Sequence, residues 1–242
     1  LPYFRTLHSL AFRQLGLRKE NVMQPHHYKE LGSSLKVPFS ISVNNNDESG
    51  GFLNSNSPEL NIINAAKHKQ ITTLQQYDLG EHIADVSREK VEILSNELET
   101  YKKEKHLIDF HDMISDFIKS DKCPKFDVTF IDEAQDLSKV QWSMADKVFT
   151  NTGDSFIAGD DDQAVFRWAG ADVDSFIALD GKINQLIQSF RVPKSVHKLA
   201  ANIVSRIKKR INKNWLPSTR EGNIKWYDNF EDINLKEGKC WF

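Results

Sequence analysis

Cysteine is scarce in this chain. Of 242 residues only Cys123 and Cys240 carry thiols, too few and too far apart for a disulfide framework or a zinc cluster, so free thiols in a reducing compartment are expected. Long apolar runs are missing as well. None approaches the ~18 to 20 residues that span a bilayer, and the opening LPYFRTLHSL lacks the charged, apolar and small-residue succession of a secretory signal. These absences disfavour membrane and secreted classes and predict a cytoplasmic protein with no membrane partner. An excess of one charge is also absent. With 32 Lys and Arg against 34 Asp and Glu the net charge is -2, so the overall balance is silent about nucleic acid. The first residue is Leu1 rather than Met, which predicts a piece of a longer protein.

What is present reads as a folded chain. Apolar residues make up 39%, well above disordered compositions, and the length suits one large domain or two small ones. Charge is segregated by segment: positions 126–180 hold twelve acids and three bases, whereas 191–225 hold ten bases and the single acid Glu221. A metal-rich site facing an anion-binding lobe is one reading of that asymmetry, and a basic helix solvated beside an acidic domain is the other. Arg206, Lys208, Lys209 and Arg210 carry the same pair of readings, contact with a nucleic acid backbone or simple solvation.

Hydrophobic spacing supplies the elements. Leu7, Leu10, Ala11 and Leu15 recur at helical intervals before Gly16, a helix stop. The stretch from about Met23 to Pro58, with NNNDESGG inside it, reads as a mobile surface excursion. Ser57-Pro58-Glu59 is a helix start, and Ile83, Val86, Val91, Leu94, Leu98 and Tyr101 predict a long amphipathic helix. A further helix carries Phe110, Met113, Ile114, Phe117 and Ile118 behind a capping Asp109. Beyond it, FDVTFI reads as a buried strand, residues about Val140 to Val148 as a helix, and SFIAGD as a second strand, an alternation that predicts a parallel sheet. Gln185 to Gln188 and Asn223 to Tyr227 are expected to be further strands, with a helix from Val196 to Ile211 between them.

Two segments carry chemistry. FDVTFIDEAQD, residues 126–136, runs an apolar strand into Asp132 and Glu133, and ligands of open α/β sheets bind beyond the carboxyl ends of strands. GDDDQAVFRWAGAD, residues 159–172, follows the next strand and joins an amide, an arginine and two aromatics, a set that suits phosphate sensing and base stacking. Together these segments closely resemble the second and third motifs of UvrD/Rep-type superfamily 1 DNA helicases. Arg5 to Ala11 is similar to that family's early DNA-contacting motif, Leu107 to Ile114 to the segment before its Walker B strand, and Gln188-Ser189-Phe190-Arg191 to the motif that opens its second lobe.

The resemblance implies an α/β fold: a RecA-like P-loop NTPase lobe with a parallel sheet over 1–20 and 106–182, an inserted helical accessory subdomain over 21–105, and the beginning of a second RecA-like lobe over 183–242. It implies ATP and Mg²⁺, with Asp132 holding the metal and Glu133 positioning and deprotonating the attacking water. Gln163 would read the γ-phosphate, and Arg191 would act as an arginine finger. Trp168 and Phe166 would stack on DNA bases, with Arg167, Thr6 and His8 contacting phosphate or sugar and Gln135 and Asp136 coupling the two sides. The activity implied is an ATP-dependent DNA helicase, a monomeric motor moving 3′ to 5′ on single strands and unwinding duplex in a bacterial or phage-infected cell. An inactive DNA-binding module of the same ancestry and the helicase part of a helicase-nuclease are the alternatives. The sequence departs from the family in lacking G-x-x-x-x-G-K-[ST], because Gly181-Lys182 precedes Ile and Gly238-Lys239 precedes Cys. The 242 residues alone are therefore expected to be inactive. Leu7 and Ala169 replace an aromatic and an arginine, which weakens two expected DNA contacts.

Overall fold

The computed structural model describes residues 3–36, 41–42, 54–81 and 85–232. They form an α/β arrangement in which Leu1–Leu179 and Asp180–Phe242 are separate units. The first unit opens with α1 (Leu7–Leu15). Thr6 caps it by accepting the Ser9 N–H at 3.2 Å, and Gly16 ends it in the left-handed region at φ 71°, a conformation glycine adopts without steric cost. Next come α2 (Pro25–Ser34), the two-residue antiparallel pair β1 (Ile41–Ser42) and β2 (Asn54–Ser55), α3 (Pro58–Lys69), α4 (Thr73–Asp78) and α5 (Arg88–Lys105). Proline at the first position and a capping Ser57 start α3, while His106 at φ 54° stops α5.

Two hydrophobic clusters organise this unit. Tyr28, Leu31, Leu60, Ile63, Val91, Leu94 and Leu98 pack α2, α3 and α5 together. A second cluster joins Leu10 and Ala11 of α1 to Met113, Ile114 and Phe117 of α6 (Phe110–Lys119) and to Val140, Met144 and Val148 of α7 (Lys139–Thr150). Full burial of a side chain such as Phe117 or Ile114 contributes about 1.5 to 3 kcal/mol.

An ionic joint lies between the clusters. Asp109, the N-cap of α6, accepts the His111 and Asp112 N–H groups and pairs with Lys67 at 2.6 Å and Lys102 at 3.0 Å. Burial would raise the Asp109 carboxyl, but the two ammonium groups hold it well below the usual carboxylate range. Lys102 also reaches Glu99 at 2.8 Å and Asp112 at 2.7 Å. These oxygens of Glu99, Asp109 and Asp112 lie close enough to hold a metal ion, yet lysine ammonium groups already sit among them.

The sheet that follows is small. β3 (Phe126–Ile131) pairs in parallel with β4 (Thr152–Ile157), Val128 opposite Asp154 and Phe130 opposite Phe156, with α7 as the crossover. α8 (Val173–Ile177) completes the unit. The second unit holds α9 (Lys194–Val204) and a parallel approach of Gln188 to Leu216, where Leu216 N–H donates to Ile187 O at 2.6 Å and Ser189 N–H to Leu216 O at 2.9 Å. Among the described residues no helix is long and apolar enough to cross a membrane.

Several sequence expectations need correction. The apolar run of β3 is not buried: Phe130 is 76% and Phe156 54% exposed, their rings stacked at 5.1 Å, because the parallel sheet has only two strands among the described residues and its carboxyl half is left uncovered at these two rings. Residues 185–188 contribute one bridge rather than a strand, and 223–227 form none, as no ladder partner flanks them among the described residues. α9 stops at Val204 instead of Ile211, where like charges at Arg206, Lys209 and Arg210 would crowd the next turn. Part of the expected surface excursion is the ordered helix α2, anchored by buried Tyr28 and Leu31. Its NNNDESGG segment and Ile83 lie outside the described residues.

Candidate functional site

The carboxyl ends of β3 and β4 stay joined beyond the strands. Ala158 N–H donates to Ile131 O at 2.8 Å, and Ala134 N–H donates to Ala158 O at 3.0 Å, so the two loops leave the sheet side by side. Asp132 and Glu133 emerge there with exposed side chains. Glu133 sits at φ 52°, ψ 39°, in the left-handed region that a residue with a Cβ rarely adopts, and its N–H donates to Asp132 Oδ1 at 3.0 Å. Strain of this kind concentrates at functional sites and persists only where the surroundings enforce it.

Gln135 packs beside Glu133. Its side chain is 1% exposed, Nε2 donates to Glu133 Oε2 at 2.8 Å, and Oε1 accepts the Asp160 N–H at 2.9 Å. Asp160 in turn accepts the Gln163 amide at 2.6 Å and the Asp162 N–H at 3.2 Å. A continuous chain of hydrogen bonds thus runs Glu133–Gln135–Asp160–Gln163, joining the two motif loops. Asp136 borders it, its carboxyl raised by burial and by the Glu133 charge and lowered in part by Gln135. Gly159 permits the close approach, since a Cβ there would lie 2.7 Å from Gln135 Oε1 and 2.9 Å from the Phe176 ring.

A second tie follows. Asp172 N–H donates to Leu137 O at 2.8 Å, Ala171 bridges Ser138, and Trp142 Nε1 donates to Asp172 O at 3.2 Å. Between these ties the loop turns outward and presents Trp168 at 79% exposure, with Phe166 half-buried. Arg167 is held by its own neighbour, both guanidinium ends facing the Asp174 carboxylate at 3.3 and 3.4 Å. Gly170, at φ 104°, rests over His68, whose Cβ would be 2.8 Å from an added methyl.

Thr6 and His8 lie apart from this chain, at the cap and in the first turn of α1. Thr6 is the cap described above, and the half-buried His8 ring packs edge-on against Phe110 at 5.6 Å. Burial first, and then His68, push His8 down to about 4, so its ring is neutral near pH 7. His68 and His111 form an edge-on pair at 4.2 Å, depressed by burial to about 2 and about 4. Arg191 belongs to the second unit and is exposed there, its carbonyl accepting from Arg220.

Sequence reasoning gathered the acidic pair and Gln163 at one sheet end and read Gln135, with Asp136, as coupling to the DNA side or stabilising the turn, without its tie to the Asp160 loop. The signal available was an amide two residues after Glu133 in a run of small and acidic neighbours. As for cofactors, Asp132 is an exposed carboxylate at a strand end, a hard oxygen donor of the type Mg²⁺ takes.

Comparison with known proteins places the chain in a family. The family model of the UvrD/REP helicase N-terminal domain matches residues 3–184. A probable DNA helicase II homolog of Mycoplasma genitalium is 30% identical over 121 residues, 46% of this chain and 15% of that protein. The ATP-dependent DNA helicase PcrA of Bacillus subtilis is 27% identical over 135 residues, 50% of this chain and 18% of its own. DNA helicase II of Haemophilus influenzae is 26% identical over 115 residues, 46% and 16% respectively. The matched stretches thus span less than a fifth of these relatives' lengths.

Proposed function

This chain belongs to the UvrD/REP helicase N-terminal domain family, and from that premise we propose that the intact protein is an ATP-dependent DNA helicase. It translocates 3′ to 5′ on single-stranded DNA, and this segment supplies the hydrolytic half of its nucleotide site. The observation that carries the proposal is the hydrogen-bonded chain from Glu133 through Gln135 and Asp160 to Gln163 at the ends of two parallel strands. Residues 1–20 and 106–182 form the first RecA-like lobe, 21–105 its helical insertion, and 183–242 the start of a second lobe. The two hydrophobic clusters and the division after Leu179 support that partition.

In this reading Glu133 orients a water and accepts its proton. Asp132 holds Mg²⁺, which when bound neutralises phosphate charge. Gln163 trades its bond to Asp160 for a γ-phosphate oxygen, and Arg191 donates to the charge that develops in the transition state. On the DNA side Trp168 carries the main contact by stacking, with Phe166 beside it. Arg167, Thr6 and His8 take lesser parts, because an ion pair, a helix cap and a packed ring already engage them. The test is ATP turnover by the intact protein with and without single-stranded DNA. DNA-stimulated turnover is expected, and DNA binding without turnover would instead make this a binding module.

A further inference from the structure

We propose that Gln135 is the positioning residue of the hydrolytic site, fixing the Glu133 carboxylate against the loop that carries Gln163. The inference rests on the reading of Glu133 as the base. Both ends of the amide are committed: Nε2 to Glu133 Oε2 at 2.8 Å and Oε1 to the Asp160 N–H at 2.9 Å. The partners dictate the amide's orientation, because a carboxylate only accepts and a backbone N–H only donates, so the reversed amide would oppose like groups at both ends. Burial to 1% exposure leaves water little access to replace either bond.

Two further features require the same side chain. Glu133 sits in a left-handed conformation in which its carboxylate direction is set by what grips it. Gly159 leaves Gln135 Oε1 the space that a Cβ would take. Gln135 thus transmits the seating of the Asp160–Gln163 loop to Glu133 through one buried group, and Glu133 is aligned only while that loop is in place.

The experiment measures ATP turnover of the intact protein at saturating single-stranded DNA, with thermal midpoints recorded in parallel. Gln135→Met and the isosteric Gln135→Glu are expected to lower kcat about 10- to 100-fold, as small misplacements of reacting groups do, with KM for ATP moving less than about threefold. Gly159→Ala, which leaves every polar group in place but displaces the amide, should show the same split and serves if Gln135→Met does not fold. The exchanged pair Glu133→Gln with Gln135→Glu rebuilds the bond in mirror sense. It should regain the wild-type midpoint and remain inactive. Turnover within a factor of about two of wild type in Gln135→Glu or Gln135→Met, a loss confined to KM, or turnover recovered by the exchanged pair would each overturn the proposal. Glu133→Gln separates the two levels. If that variant still hydrolyses ATP, the reading of the site fails, whereas an inactive Glu133→Gln beside an active Gln135→Met removes only the role given to Gln135.

Discussion

Replacing Lys102 by methionine probes the joint that seats the site-bearing half of the first unit against its helical half. The Lys102 side chain is 4% exposed and makes three charge-assisted contacts, to Glu99, Asp109 and Asp112 at 2.8, 3.0 and 2.7 Å. Methionine keeps most of the volume and removes the charge. Asp109 still has Lys67 at 2.6 Å, but Asp112 loses its ammonium partner while remaining beside Asp109. Breaking a buried pair in this way costs about 3 to 5 kcal/mol. Asp112 is raised by burial and by Asp109, and Asp109 keeps Lys67 as a partner, so the loss falls at the lower end, about 3 kcal/mol. For a unit of this size that corresponds to a melting-point drop of about 6 to 12 °C. Urea titration followed by helical circular dichroism measures it, with Lys105→Met as control, because the Lys105–Glu30 pair is exposed at 3.0 Å and is worth less than about 1 kcal/mol. A Lys102→Met loss no larger than that of the control would refute the reasoning.

Acid should destabilise the first unit earlier than its carboxylates alone require. His111 is neutral when folded, held at about 4 by burial, whereas the unfolded side chain titrates near 6.5. Its contribution is complete above about pH 6.5 and is lost as pH falls toward 4, about 3 kcal/mol in all. His111→Leu should flatten the stability profile across that window, and an unchanged slope would place the proton uptake elsewhere. Trp168→Ala should weaken single-strand binding by the intact protein by about 1 to 3 kcal/mol, the value of one stacked base. Fluorescence anisotropy with a labelled oligonucleotide reads this directly, and undiminished affinity would remove Trp168 from the DNA surface.

Elements governed by local chemistry were legible in the sequence. The helix ended by Gly16, the cap at Asp109, and two strands separated by a helix-length segment follow from spacing and cap residues, and the structure has all three. Failures arose where neighbours decide. Tyr28 and Leu31 were read as part of a surface excursion because Asn, Ser, Gly and Asp dominate the longer stretch that contains them, although Pro25 marks the helix start. The exposure of Phe130 depends on what covers the sheet, which the strand's own composition does not encode. Gln135 illustrates the same limit within the site, since its second partner is a backbone N–H twenty-five residues later. The Lys67–Lys102–Asp109 joint and the three packed histidines join α1, α3, α5 and α6 across distances no periodicity reports.

The most direct test of the central claim is nucleotide hydrolysis by Glu133→Gln in the intact protein, measured beside ATP binding. The amide keeps the shape of Glu133 but cannot accept a proton, so single-turnover hydrolysis should fall by at least about 100-fold while ATP affinity stays close to wild type. Hydrolysis within a few-fold of wild type would contradict the account and remove Glu133 as the base.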